Sequence, residues 1–171
     1  MDHASRGHLT PALCAEAIYN FHESRGMTIG FFKNLFGRKS GGLTSPFEPK
    51  PELQSETGVR NYLSKLSKFS RSDLCVEFAN VRAAKHNATM LPTGIGDFQE
   101  TQAIVTDLTD KSVAICIIAF GQPAVFGYAG GDLSQLNILI NNVDDQVAAL
   151  DLEPEQHGEQ LLKRLGGYLQ G

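Results

Sequence analysis

Tryptophan is absent from this 171-residue chain, and cysteine and methionine occur three times each. Cys14, Cys75 and Cys116 lie far apart, so no Cys-x-x-Cys pair of a zinc or redox site can form locally. Their odd number and apolar settings fit reduced core thiols and a cytoplasmic address. No apolar run approaches the length of a membrane span, and the opening Met1-Asp2-His3-Ala4-Ser5-Arg6 lacks the apolar stretch of a signal peptide. The five histidines, His3, His8, His22, His86 and His157, include no two spaced as a metal pair on one helix face, and no metal site is expected. Gly94-Ile95-Gly96 lacks the third glycine of a dinucleotide fingerprint, no Gly-Lys-Ser/Thr phosphate loop occurs, and no cofactor is expected. Gly130-Gly131 precedes a helical pattern, but Asp132 stands at the N-cap, where its carboxylate competes with any bound anion.

What the chain does contain is 42% hydrophobic residues and a charge that is unevenly spread. Residues 1–86 hold 12 Lys and Arg against 8 acids, whereas 87–171 hold 3 against 11. The acidic C-terminal half could dock on the basic half or meet a basic partner.

The N-terminal 39 residues read as a helical extension. Thr10-Pro11 is an N-cap followed by proline at the first helical position, and Leu13, Cys14, Ile18 and Phe21 fall on one side up to the stop at Gly26. From Met27 to Lys39 come three phenylalanines and three basic residues without an acid. Phe31, Phe32, Leu35 and Phe36, with Lys33, Arg38 and Lys39, are the candidate partner- or membrane-binding residues: aromatic rings enter an acyl boundary or apolar groove while the cations meet anionic groups. Packing of the same phenylalanines on the chain's own core is the competing reading. The segment resembles the short, Phe-rich, basic N-termini of many bacterial peripheral proteins, and that resemblance implies an amphipathic helix at a membrane surface. Residues 40–54, with Gly41, Gly42, Pro46, Pro49 and Pro51, read as a linker.

Residues 55–171 are expected to form an α+β domain. Val59, Tyr62, Leu63, Leu66 and Phe69 predict a helix over 56–69. Alternation at Leu74, Val76 and Phe78 predicts a strand over 73–81. A long loop over 85–97 follows, with Pro92, Gly94 and Gly96 as its turn residues. A second strand over 98–108, a polar turn over 107–111, an apolar third strand over 113–120 and a short fourth over 124–128 complete an antiparallel meander. Leu133, Leu136, Ile140, Val143, Val147 and Leu150 predict one helix, against a competing strand at 136–140. Pro154 opens a last helix with Leu161, Leu162, Leu165 and Leu169 inside. The architecture is therefore an antiparallel sheet of about four strands, packed with one preceding and two C-terminal helices. Its element order is similar to that of small acidic bacterial secretion chaperones, which implies a chaperone-like role.

Two functional readings follow. The first is a non-catalytic protein-binding protein (adaptor, chaperone-like protein or inhibitor) that uses residues 31–39 and the acidic half. A homodimer would cover the leucine seams at 133–150 or 161–169. The second is a small enzyme whose loop region over 83–100 brings His86 to Asp97 and Glu100 as an acid/base set. A peripheral membrane regulator is compatible with either. Aromatic and basic residues coincide only over 31–39, so nucleic-acid binding is not expected.

Overall fold

Ser55 begins the first helix in the way its residue type dictates. It sits in extended backbone and its Oγ accepts a hydrogen bond from the Gly58 N–H at 3.0 Å, so one of the unpaired amides of the first turn is satisfied. The structure is a computed structural model, described for residues 51–90 and 98–171. Over those residues it contains six helices: α1 (Glu56–Leu66), α2 (Arg71–Met90), α3 (Phe98–Phe120), α4 (Gln122–Ala129), α5 (Leu133–Ala148) and α6 (Pro154–Leu169).

The expected α+β class is thus corrected to an all-helical fold, with no strand among the described residues. The 73–81 strand lies inside α2, where a capping box starts the helix: Ser70 Oγ accepts from the Asp73 N–H, and Asp73 Oδ2 accepts from the Ser70 N–H. The buried positions Leu74, Cys75, Phe78, Ala79 and Arg82 follow the helical spacing, and the alternation of Leu74, Val76 and Phe78 was coincidental. The second and third strands and the turn between them are one helix, α3. Every residue from Ser112 to Ile117 is buried, because this half of α3 is enclosed by its neighbours on all sides. An apolar run without periodicity is what such a helix requires, and enclosure overrides the β-propensity of Val and Ile. The fourth strand is α4, separated from α3 by Gly121 at φ +88, a conformation that side-chain-bearing residues rarely adopt. Without the meander, the likeness in element order to secretion chaperones has no basis. Of the 85–97 loop, residues 85–90 continue α2 and 91–97 lie outside the described residues.

Of the other expected helices, the one over 56–69 is present and ends at Leu66, the two C-terminal ones are present, and the one expected from Pro11 up to Gly26 lies outside the described residues. Asp132 caps α5 through the Ser134 N–H at 2.9 Å, and α5 is one continuous helix that buries Leu133, Leu136, Ile140, Val143 and Val147. Leu150, expected on that seam, follows the helix end and is 48% exposed. In α6, Leu161, Leu162, Leu165 and Leu169 are buried as expected. Apart from Leu150, the seams that suggested a homodimer are buried within the chain.

Helix α2 is the organising element and packs most extensively on α6 and α3. At the α2–α6 crossing the backbones touch: a Cβ placed on Gly158 would lie 1.9 Å from the Cys75 carbonyl oxygen. Only glycine fits there. Phe78, Ile115, Leu136, Ile140, Leu161 and Leu165 fill the common core. Cys75 and Cys116 are buried free thiols, and burial pushes the Cys116 thiol up to about 12 despite the opposing charge of Arg82.

Candidate functional site: a groove floored by Arg82, Asp144 and His157

The buried stripe of α2 continues from Cys75, Phe78 and Ala79 to Arg82, so the helix period carries a guanidinium into the interior. Only 7% of Arg82 remains exposed. A charge so placed needs partners, and α5 supplies them. Arg82 Nε donates to Asp144 Oδ2 at 2.7 Å, and its Nη2 donates to Asn141 Oδ1 at 2.9 Å. From α6, His157 Nε2 lies 2.8 Å from Asp144 Oδ1. Both oxygens of Asp144 are thereby engaged, and three helices meet at one carboxylate. Lys85, one turn beyond Arg82, reaches the same Asn141 oxygen at 3.3 Å. Its ammonium is pushed down to about 8, first by burial and then by Arg82, with Asp144 and Asp110 pulling the other way.

This cluster forms the floor of an open groove of about 430 Å³. One wall is the outer face of α2, with Ala79, Asn80, Ala83, His86 and Asn87. The other is the end of α5 and the connection to α6, with Asp145, Ala148, Leu152 and Pro154. The volume falls within the range of about 300–1,000 Å³ usual for ligand sites. Asp145, Asp151, Glu153 and Glu155, on and beside that second wall, are all exposed. Glu155 accepts from Ser72 Oγ at 2.5 Å and so bridges α6 to α2.

A second charged cluster lies on α3. Asp107 Oδ1 accepts from the backbone N–H groups of Glu52 and Leu53 at 2.7 and 2.5 Å. Lys111 Nζ sits 3.2 Å from Asp107 Oδ2 and 2.7 Å from Glu52 Oε2, over the Tyr62 ring. Burial alone would lower the Lys111 ammonium, but the Glu52 hydrogen bond and the Asp107 charge outweigh it and hold it above its ordinary value. The residues expected as a polar turn thus hold the beginning of the domain in place.

Of the expected acid/base set, His86 lines the groove and is exposed, whereas Glu100 is exposed in the first turn of α3 and is not part of the groove lining. Asp97 lies outside the described residues, as do Phe31, Phe32, Lys33, Leu35, Phe36, Arg38 and Lys39. The residues that the groove brings near His86 are instead Asp144 and His157, which the sequence reading did not select. Chemically, His157 held by Asp144 can exchange a proton, with the carboxylate fixing the ring. Among the described residues no group of three His, Cys, Asp or Glu side chains is placed to hold a metal ion. No helix of the described residues is long and apolar enough to cross a membrane. No protein-family model and no solved structure matches this chain.

Proposed function

We propose that this chain is a non-catalytic protein-binding protein, and that the groove between α2 and the α5–α6 connection receives a basic, aromatic-bearing segment of a partner. The observation that carries this reading is the division of charge in the groove. Its deep polar groups, Arg82, Asp144 and His157, are spent on one another and hold three helices together. Its apolar surface, from Ala79, Ala83, Ala148, Leu152 and Pro154, has the exposed carboxylate of Asp145 on its lining, and the exposed Asp151 and Glu153 adjoin Leu152 in the chain. An apolar trough with an acidic border suits an apolar side chain flanked by Lys or Arg. The border is exposed, so the attraction should weaken with salt over a Debye length of about 8 Å at physiological ionic strength.

Selection of peptides from a random displayed library tests the reading, with the full chain as bait beside its Asp145→Lys/Glu153→Lys variant. The expected result is enrichment of peptides combining Lys or Arg with Phe, Tyr or Leu, bound at least tenfold more weakly by the variant. Lack of enrichment, or peptides indifferent to the charge reversal, would overturn it.

A further inference from the structure

We infer that pH governs what the groove accepts: protonation of His86 and His157 reverses the sign of the charge on its lining and releases a basic segment. This inference rests on the binding role proposed for the groove and adds its regulation.

The lining holds five ionisable side chains, Arg82, His86, Asp144, Asp145 and His157. One guanidinium stands against two carboxylates, so with both imidazoles neutral the formal charge of the lining is −1, and with both protonated it is +1. Histidine is the side chain that ordinarily changes charge between pH 5 and 8, whereas carboxylates and guanidinium groups ordinarily keep theirs across that interval. The two histidines reach the groove from different helices, His86 from the exposed face of α2 and His157 from the first turn of α6. A segment lying along the trough therefore meets one new charge on a wall and one on the floor.

The contacts of His157 define where its proton goes. Its Nε2 lies 2.8 Å from Asp144 Oδ1, and because a carboxylate only accepts, Nε2 carries the hydrogen and Nδ1 is the atom that gains the second proton. Solvent reaches this side chain, which is 17% exposed. Asp144 already accepts from Arg82 Nε, so the charge of the imidazolium is added to a carboxylate that a guanidinium shares. Asp145 follows on α5, and on α2 Lys85 joins Arg82 at the Asn141 oxygen. Lys85 is not part of the lining, and with its ammonium at about 8 it is mostly protonated before histidine titrates. The exposed Asp151, Glu153 and Glu155 lie next to His157 in the chain. Since a bound Lys or Arg disfavours protonation of both imidazoles, linkage requires that protonation weaken binding by the same factor.

Peptides enriched by the groove at pH 7.5 are the probe, restricted to those without His, Asp or Glu and with acetylated N-termini, so that the peptide itself does not titrate. Their binding to the full chain is measured at pH 7.5, 6.5 and 5.5 and constant ionic strength, for wild type, His86→Gln, His157→Gln and the double variant. His3, His8 and His22 are retained in every protein. The expected result is binding at least about tenfold weaker at pH 5.5 than at pH 7.5 for wild type, about threefold weaker for His86→Gln, and pH-independent for the double variant. Equal affinity of wild type at the three pH values overturns the inference. So does a pH dependence that persists in the double variant, or a His157→Gln protein that loses affinity by the same factor at each pH, because His157 then only supports the floor. Should His157→Gln fail to fold, imidazole proton resonances of wild type, titrated with and without peptide, decide the matter: the peptide should move the midpoints of His86 and His157 to lower pH, and unmoved midpoints overturn the inference. If peptides are selected but bind alike at every pH, the binding role stands alone. If no peptide is selected, both fall.

Discussion

Two buried charge clusters join separate parts of this chain, and they differ in what their groups are used for. At the α3 cluster, Asp107 is 4% exposed and accepts two backbone N–H groups, with Lys111 closing the arrangement. At the groove, Arg82 is nearly as buried, but the cluster it belongs to meets an open trough through Asp144 and His157. The first cluster satisfies main-chain donors that would otherwise be stranded, so it is a fastening. The second joins side chains only, and its outer neighbours His86, Asn87 and Asp145 remain available to another molecule. Burial of charge alone therefore does not distinguish a site from a clasp. What distinguishes them is whether the surrounding polar groups are consumed.

The largest effect expected from that difference is at Asp107. Asp107→Ala strands two backbone amides and leaves the Lys111 ammonium with Glu52 as its remaining carboxylate, and the loss should be about 4 kcal/mol, the range for a broken buried pair. Arg82→Met, where His157 still faces Asp144 and the groove admits water, should cost less, about 2 kcal/mol. Chemical denaturation of both variants measures the ratio. Equal losses would mean that the groove cluster is as closed as the other.

Next in size is the close crossing that brings His157 to Asp144. Gly158→Ala puts a methyl group against the Cys75 carbonyl and forces α6 from α2, at about 3 kcal/mol for overpacking of this kind. Gly167, on the same helix, has open space where its Cβ would stand. Gly167→Ala should stabilise by about 0.5–1 kcal/mol through helix propensity. Opposite signs from one substitution type in one helix are the result sought in thermal unfolding. If both stabilise, the crossing is looser than the geometry indicates, and the groove floor with it.

The same crossing shows how far the sequence was readable. Helices whose apolar residues keep a clean stripe, α1, α5 and α6, are evident from spacing. Helix α3 is not, because enclosure removes the periodic signal from 112–117, and its polar segment over 107–111 imitates a turn. The groove cluster does leave a trace in the sequence. His157 precedes Leu161 and Leu165 by one and two turns, and Arg82 follows Cys75 and Phe78 on the buried stripe of α2. Asp144 lies one turn beyond Ile140. A polar residue occupying a core position on each of three helices calls for mutual partners. What spacing could not supply was the pairing among the helices, since no local pattern places residue 82 beside 144 and 157. His86 was found because it is a histidine in a stretch of turn-like composition, yet its neighbours in space come from α5 and α6.

The smallest effect concerns Lys85 and sharpens the contrast between the two ammonium groups. Lys111 is held above its ordinary value by carboxylates, whereas Lys85 is pushed down to about 8 by burial beside Arg82. In the unfolded chain Lys85 titrates near 10.5, so between roughly pH 8 and 10.5 the unfolded state binds more protons and stability from this group rises with pH. Cys116, whose thiol is raised to about 12, works in the opposite direction above the ordinary cysteine value, as does the buried Tyr62 hydroxyl. The comparison must therefore be between wild type and Lys85→Met, in which those contributions cancel. The variant should be the more stable of the two at pH 7, where wild type keeps a poorly solvated ammonium. Its advantage should shrink as the pH passes from 8 to 10. Urea midpoints at pH 7, 8, 9 and 10 measure this difference. A difference that stays constant across the series would show Lys85 to be as well solvated as an ordinary surface lysine, and would leave Arg82 the lone cation taken out of water at the groove floor.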